Sequence, residues 1–279
     1  MKAAQFDYAR AREVPEVLRM LAERAGAARV LAGGQSLGPM LNLRLARPQL
    51  LIDVSQIEPL RRIEDLGKAW RLGAAVTHAR IEDSRTLLRG AEMLSDVAFG
   101  IAHRSIRNRG TIGGSIAHAD PAADWPVALA ALGAKVNART ARGVRTLVVN
   151  EFVLGAFRTA LGDGEIVESI DVPKLGTGAR YGYYKFSRKT GDFAEASAAA
   201  VFDAQAGVAR IFLGAPVSAP LALASLAREV AARGQAGVAP ERIMDALVAA
   251  APDLDSVQRR IAAGTVRRAL DQVFQPCPR

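Results

Sequence analysis

The stretch "TIGGSIAHAD" at positions 111–120 places two adjacent glycines between a threonine and a serine. A second stretch, "LAGGQSLGPM" at positions 31–40, also has Gly-Gly followed closely by a small hydroxyl residue. Adjacent glycines lack Cβ atoms, adopt positive φ angles readily and let a ligand approach the main chain. Successive N–H groups in such loops form a concave phosphate site, to which Ser36, Thr111 and Ser115 add hydroxyl donors. The two loops together predict a site for the two phosphates of a dinucleotide.

Either glycine loop alone is weak evidence, because Gly-Gly between a strand and a helix is usually only a tight connection. Neither stretch fits the G-x-G-x-x-G pattern or the Walker pattern, so an ordinary Rossmann or P-loop site is not supported. A ligand site is therefore predicted only from the pair of loops.

The composition is that of an ordinary globular chain, with 279 residues, of which 50% are hydrophobic and 23% charged. No apolar run reaches the roughly 18 residues that a membrane helix needs. The first residues, "MKAAQFDYARAREVPEV", contain no apolar segment of the kind found in secretion signals. We therefore expect no membrane span and a cytoplasmic location.

Cysteine and histidine are scarce. The single cysteine is Cys277, and the three histidines are His78, His103 and His118. One cysteine excludes disulfides within the chain and argues against an iron–sulfur cluster held by this chain alone. No two histidines are spaced i, i+4, so a zinc site is not expected. Any redox chemistry would need an organic cofactor.

The net charge is +9. Such a charge could indicate nucleic-acid binding, but the arginines are spread along the chain beside acidic residues, and no aromatic ladder accompanies them. A solvated basic surface, or a surface that meets an acidic protein partner, fits the pattern better. We expect no nucleic acid.

Hydrophobic periodicity predicts an α+β fold, with strands and helices in blocks rather than in strict βαβ alternation. "PKLGTG" at 173–178 is the clearest linker, with one Pro and two Gly in six residues. Beyond it the pattern predicts an antiparallel meander and then three helices. The pattern predicts a strand at "ARVLAGG" (28–34). It predicts helices at "PEVLRMLAERAG" (15–26), "HARIEDSRTLLRG" (78–90), "DWPVALAALGA" (124–134) and "LALASLAREVAARG" (221–234).

Two segments carry a resemblance to a known family. "LAGGQSL…NLRLARPQLLIDVS" and "RNRGTIGGSIAHADPAADWPVALAALGA" closely resemble the two FAD loops of the medium subunits of molybdenum hydroxylases, the carbon monoxide dehydrogenase and xanthine dehydrogenase family. The likeness continues through "YKFSRKTGDFAEASAAA" and "RRIAAGTVRRAL", so it covers nearly the whole chain. Two motifs in the right order and spacing are far more specific than one.

The resemblance implies the FAD-binding fold shared with vanillyl-alcohol oxidase and the cell-wall enolpyruvyl reductases. Two α/β flavin subdomains would occupy residues 1–56 and 57–174. A C-terminal domain, residues 175–279, would combine a three-stranded sheet with a helix bundle. The cofactor implied is FAD, which we expect to be bound non-covalently because no histidine is placed for an obvious covalent link.

The resemblance also implies cofactor-binding residues. Asp124 matches an acidic FAD contact to a ribose hydroxyl, and Lys185 matches a lysine near the flavin ring. Ser115 stands where the family often has Asn, and Phe193 stands where some carbon monoxide relatives have Tyr. The residues matching the two loops are Ala32, Gly33, Gly34, Gln35, Ser36, Thr111, Ile112, Gly113, Gly114 and Ser115.

Other polar residues near the second loop have open roles. His118 and Asp120 could form a catalytic pair, although capping or loop hydrogen bonds are the preferred interpretation. Arg107 and Arg109 could meet phosphate, or else face solvent or a partner subunit. Trp70 and Trp125 are expected in the core or at an interface.

The resemblance implies an oxidoreductase subunit that transfers electrons and contains no catalytic residues for the organic substrate. The molybdenum cofactor would lie in a large partner subunit and the 2Fe–2S clusters in a small one, in a dimer of heterotrimers. Electrons would pass through FAD to an external acceptor. Two other hypotheses stay open here: a stand-alone FAD-dependent oxidase or reductase on the same fold, and a non-enzymatic basic binding module.

Overall fold

The computed structural model describes residues 2–24 and 26–274, so Cys277 lies outside the described residues. The first elements are β1 (Asp7–Arg10), α1 (Val14–Glu23), β2 (Ala28–Leu31), α2 (Leu37–Asn42) and β3 (Leu50–Asp53). The three strands form a parallel sheet in the order β1–β3–β2. Strand β3 buries all of its residues, as expected of the central strand of a covered sheet.

Strand β1 is absent from the sequence prediction, and the alternation of helices and strands in this first unit is stricter than predicted. Helix α1 and strand β2 lie within the segments predicted for them. Because β2 ends at Leu31, the first glycine motif begins directly at the end of a parallel strand. This edge of a parallel sheet is a common place for a ligand site.

A second, larger sheet is antiparallel. Its elements and the helices between them are β4 (Ile63–Asp65), β5 (Ala69–Gly73), α3 (His78–Glu82), α4 (Met93–Phe99), α5 (Arg104–Arg107), α6 (Ile112–His118), α7 (Asp124–Leu132), β6 (Lys135–Thr140), β7 (Gly143–Val148), α8 (Val149–Phe152), β8 (Val153–Gly155), β9 (Arg158–Thr159) and β10 (Ile166–Pro173). Five strands form the sheet in the order β4–β5–β10–β6–β7, and β8 pairs with β9 in a separate hairpin.

Helix α7 is buried on all sides, in agreement with its apolar composition. It packs between the second sheet and the C-terminal sheet, so its first residue, Asp124, is carried into the interior. Gly133 ends the helix in a left-handed conformation with φ of 71°. The segment predicted as a helix at 124–134 is confirmed.

The C-terminal part contains β11 (Arg180–Phe186), β12 (Ala196–Asp203), β13 (Val208–Gly214), β14 (Leu221–Ala222), α9 (Ala224–Arg233), α10 (Pro240–Ala250) and α11 (Ser256–Phe274). The antiparallel sheet has the order β11–β12–β13–β14, so it has four strands where three were expected. The fourth strand is the residue pair 221–222, which pairs with β13. The periodicity assigned this pair to the following helix.

The overall architecture is thus mixed α/β with several sheets. The three helices predicted after the meander are present, and α11 packs across β11 and β12. None of the helices within the described residues is both long and apolar enough to cross a membrane.

Candidate functional site

A cleft of about 500 Å³ lies where segments of the three main sheets meet. This volume falls in the range of small-molecule and cofactor sites. The first glycine motif, helix α6, strand β10 and strand β11 all contribute lining residues. The two glycine motifs, which are distant in the sequence, therefore face one cavity.

Most of the predicted site residues line this cleft. The exception is Ile112, whose side chain is fully buried in the core and whose main-chain N–H donates to Val76 O at 3.1 Å. The predicted residues that line the cleft are Ala32, Gly33, Gly34, Gln35, Ser36, Thr111, Gly113, Gly114, Ser115, Asp124 and Lys185.

The first motif forms an open nest of main-chain donors. The N–H groups of the five residues from Gly33 to Leu37 donate no hydrogen bond within the described part of the chain. All five residues line the cleft. Gly34 has a φ of 71°, a conformation that glycine adopts without strain. Successive unengaged N–H groups of this kind form the concave, partly positive surface that binds phosphate oxygens.

The second motif differs from the prediction, because it is the first turn of helix α6 and not a loop. Thr111 caps the helix, and its hydroxyl accepts a hydrogen bond from Gly114 N at 3.1 Å. The N–H groups of Ile112, Gly113 and Ser115 donate to main-chain oxygens of the protein. The prediction that both motifs offer free N–H groups to phosphate is therefore wrong for the second motif, whose N–H groups are engaged within the protein.

The glycines of the second motif have steric roles. A Cβ on Gly113 would lie 2.4 Å from Ala74 Cβ, so a glycine is needed where α6 packs against the end of β5. Gly114 is exposed in the cleft, and a Cβ there would meet Thr111 Oγ1 at 2.8 Å. Gly113 thus sets how closely the helix approaches the sheet, and Gly114 keeps the cleft open.

The two motifs contact each other directly. A Cβ built on Gly33 would lie 2.0 Å from Arg109 O and 2.9 Å from Gly110 Cα. These are backbone atoms, so no side-chain movement can relieve the overlap. The close approach fixes the first motif beside the start of α6.

Gly33→Ala is expected to weaken both the fold and the site. Overpacking of this kind costs about 1–3 kcal/mol and moves the two motifs apart. We expect a lower melting temperature and weaker retention of any ligand that spans both motifs. Gly38→Ala is the matched control, since a Cβ there has no atom within 4 Å. Equal melting temperatures and equal ligand retention in the two variants would contradict this packing.

A buried polar group lies at the third side of the cleft. Asp124 Oδ1 accepts a hydrogen bond from the Tyr183 hydroxyl at 2.6 Å and lies 3.0 Å from Lys185 Nζ. Lys185 Nζ also donates to Gly100 O at 2.8 Å. Burial raises the pKa of Asp124, while Lys185 and Tyr183 favour its ionised form. The cleft wall therefore carries a carboxylate and an ammonium group in contact.

Comparison with known proteins identifies the family. Residues 4–175 match the family model described as the FAD binding domain in molybdopterin dehydrogenase, which is more than half of the 279 residues. The chain belongs to this family. The resemblance inferred from the sequence is thereby confirmed, and the molybdopterin-dehydrogenase FAD-binding chain is an oxidoreductase component whose cofactor is FAD.

Two curated relatives come from Paenarthrobacter nicotinovorans. The chain is 41% identical over 201 residues to the 6-hydroxypseudooxynicotine dehydrogenase complex subunit alpha, covering 72% of this chain and 68% of the relative. It is 38% identical over 192 residues to the nicotine 6-hydroxylase medium subunit, covering 68% and 67%. Both relatives are named as subunits of larger enzymes, which favours a subunit of a complex over a stand-alone oxidase or reductase.

One solved structure matches along the whole length. It is the carbon monoxide dehydrogenase from Hydrogenophaga pseudoflava that lacks the Mo-pyranopterin moiety of the molybdenum cofactor. The TM-score is 0.91 at 32% sequence identity, and 100% of both chains is covered. The C-terminal sheet and helices, which lie beyond the FAD-binding family match, are therefore part of the same likeness.

The cleft has several lining residues that sequence reasoning missed. Ile101 and Ala102 approach from the segment before α5, and Leu161 and Val167 add apolar lining. No short motif marks them, because they reach the cleft only through the tertiary packing. Phe193, noted in the sequence for another reason, lines the cleft and is 66% exposed.

The residues with open roles have defined contacts in the FAD-binding chain. Arg107 does not line the cleft; it pairs with Glu82 and donates to the carbonyls of Ile101 and Ala102. His118 lines the cleft and contacts the Phe157 ring. Arg107 thus holds the segment that forms one cleft wall.

Asp120 and the two tryptophans have structural contacts. Asp120 accepts a hydrogen bond from Ala122 N at 2.9 Å, so it makes a loop hydrogen bond, as the preferred sequence interpretation predicted. Trp70 and Trp125 are buried and donate to Arg89 O and His78 Nδ1, respectively. Both tryptophans therefore lie in the core.

His78 is a buried neutral histidine at the base of the cleft. It lines the cavity, and its Nδ1 accepts from the Trp125 indole at 3.1 Å. Burial, with a smaller contribution from Arg107, lowers the pKa of His78 from 6.5 to about 4. As the pH falls, His78 is therefore protonated at a higher pH in the unfolded chain than in the folded chain.

The flavin-binding chain is consequently expected to lose stability as the pH falls from about 6.5 to about 4. A depression of this size corresponds to roughly 3 kcal/mol of unfolding free energy, lost progressively through that window and constant below it. Denaturant unfolding at pH 7 and pH 4.5 measures the loss. His78→Gln should reduce the pH dependence by most of that amount, and an unchanged pH dependence would show that His78 is not the cause.

Proposed function

We propose that the cleft holds one FAD, with its pyrophosphate against the N–H groups of the first glycine motif. The observation that carries the proposal is the run of five unengaged N–H groups facing the cavity. The hydroxyls of Ser36 and Ser115 lie on the same cavity and would add donors. Main-chain N–H groups favour phosphate without contributing a full positive charge.

We place the flavin ring at the part of the cleft lined by Lys185, Phe193 and Ile101. These residues supply an ammonium group, an aromatic ring and an apolar side chain. The part of the cleft lined by Leu161 and Val167 would take the adenine. The contact with a ribose hydroxyl expected for Asp124 does not fit this placement, because Asp124 lies 3.0 Å from Lys185 and the ribose belongs to the adenosine half of FAD; Asp124 would instead face a hydroxyl of the ribityl chain beside the flavin ring.

We propose that the chain relays electrons from the 2Fe–2S clusters of a small partner subunit to an external acceptor. FAD supplies a centre that takes up two electrons and releases them singly or together. The described residues bring together no group of three or more His, Cys, Asp or Glu that could hold a metal ion. The chain's own residues bind and orient the cofactor, and the substrate would react in a large molybdenum subunit.

The proposed assembly is a dimer of heterotrimers in the cytoplasm. The names of the relatives support a multi-subunit complex, since they include a medium subunit and a complex subunit alpha. The proposed fold is the vanillyl-alcohol oxidase type, with units at residues 1–56, 57–174 and 175–279. The three main sheets, which fall in successive parts of the chain, are consistent with these units.

The FAD is expected to be non-covalent. None of the three histidines is an obvious link, since His78 is engaged with Trp125, His118 contacts Phe157 and His103 does not line the cleft. Acid precipitation of the purified yellow protein should release all of its colour as FAD. Colour that stays with the precipitated protein, or release of FMN, would contradict the proposed binding.

A further inference from the structure

Tyr183 lies behind the cleft and forms the far end of a chain of polar contacts that reaches the cavity. Its hydroxyl donates to Asp124 Oδ1 at 2.6 Å, and the same oxygen lies 3.0 Å from Lys185 Nζ. Asp124 is 7% exposed and the Lys185 side chain 10% exposed. A buried carboxylate keeps its charge only when donors surround it. The position of Lys185 therefore depends on groups that do not line the cleft.

The donor count leaves Lys185 one N–H for the cavity. An ammonium group has three donors, and the contacts with Asp124 and Gly100 O use two of them. Lys185 lines the cleft, so the third donor is available to an acceptor there. Burial and the neighbouring Asp124 carboxylate raise the pKa of Tyr183 well above 10, so its hydroxyl stays a donor.

The charged surroundings of Asp124 are few. From strand β11, Tyr183 and Lys185 face it. Arg210 of strand β13 lies at the opposite end of helix α7, where it contacts Ala131 O at 3.4 Å. The other titratable residues that line the same cleft are Arg29, His78, His118, Asp120, Glu165 and Asp192. Asp124 and Lys185 are the pair of opposite charges that lie in direct contact at this wall.

We propose that Tyr183 is a positioning residue of the flavin site: by donating to the Asp124 carboxylate it stabilises that negative charge beside the Lys185 ammonium, and so adjusts the reduction potential of bound FAD. The inference rests on the FAD site proposed above. A nearby positive charge favours the reduced cofactor, because reduction adds negative charge. An ionised Asp124 offsets that effect of Lys185.

The test compares the midpoint potential of bound FAD in the wild-type chain, Tyr183→Phe, Asp124→Asn and the double variant, all at one pH. Asp124→Asn removes the negative charge, so the potential should rise. Tyr183→Phe deletes one donor without changing the ring, which raises the pKa of Asp124 and should shift the potential upward by a smaller amount. In the Asp124→Asn background, Tyr183→Phe should cause no further shift, because its effect passes through the carboxylate.

Two controls sharpen the result. Tyr184→Phe is the matched control, because the Tyr184 hydroxyl accepts a hydrogen bond from Arg268 and Tyr184 does not line the cleft. The midpoint potential of FAD in this variant should equal that in the wild type. Lys185→Met should lower the potential, and together with Asp124→Asn it tests the charge pair even if Tyr183→Phe fails to retain FAD.

The outcomes separate the two proposals. If the wild-type chain holds no FAD, the proposed function and this inference both fail. If FAD is bound, three results overturn the inference alone. One is an unchanged potential in Tyr183→Phe, and another is a shift that persists at half its size or more in the double variant. The third result applies if Tyr183→Phe holds no FAD. In that case the inference fails unless Asp124→Asn raises the midpoint potential and Lys185→Met lowers it.

Discussion

Replacing Gly114 with valine is expected to weaken FAD binding strongly while leaving the fold largely intact. Gly114 is exposed in the cleft on the first turn of α6, and an added Cβ would lie 2.8 Å from Thr111 Oγ1. The branched side chain would extend from there into the space assigned to the cofactor. Its φ is not in the left-handed region, so the backbone tolerates a side chain.

The expected loss in FAD affinity is at least about tenfold, which corresponds to about 1.4 kcal/mol. The FAD-to-protein ratio after gel filtration and the melting temperature measure the two parts of this expectation. Gly38→Val is the control, because Gly38 does not line the cleft and has no neighbour within 4 Å of an added Cβ. Wild-type FAD affinity in Gly114→Val would show that the second motif does not border the cofactor.

Elements with strong periodicity are predictable from the sequence. The helix at 124–134 and the three C-terminal helices have continuous apolar faces or all-round apolar composition, and the structure confirms them. Strand β1 has a short, mostly exposed sequence, "DYAR", whose pattern gives no signal of a strand. It is held by pairing with β3, a contact across about forty residues that local pattern does not reveal.

Tertiary contacts also decide the lengths and identities of other elements. Helix α3 ends at Glu82, well before the predicted end at position 90. Ser84 Oγ donates to Arg80 O at 2.6 Å just beyond that end, a local side-chain bond that competes with helix continuation. In the second glycine motif, the Thr111 cap and the packing on Ala74 stabilise a helix that the glycines alone disfavour.

The site is predictable to the extent that it consists of motifs. The two glycine stretches stand out in the sequence itself, Asp124 and Lys185 come from the resemblance, and the structure brings all of them to one cleft. What the sequence does not reveal is which motif leaves its N–H groups unengaged. It also does not reveal the contact of Tyr183 with Asp124, which joins residues 59 positions apart. Both depend on how α6, α7 and β11 pack.

We expect the chain to oxidise no substrate unless its partner subunits are present. The FAD-loaded chain alone, mixed without oxygen with candidate substrates and a dye acceptor, should show no turnover. The panel should include carbon monoxide, purines, N-heteroaromatics and aryl-CoA thioesters, because the sequence does not define the substrate. The reason is that the proposed role of the cleft residues is to hold and orient FAD, and the proposed route for electrons enters from another subunit.

The most direct test of the electron-relay proposal is the absorbance of the bound flavin at its visible band during this anaerobic mixing. The isolated chain should keep its absorbance with every substrate in the panel. After addition of the large molybdenum and small iron–sulfur subunits of the same complex, the substrate of that complex should bleach the band. Bleaching and turnover of an organic substrate by the isolated chain would contradict the relay and identify a stand-alone flavoenzyme instead.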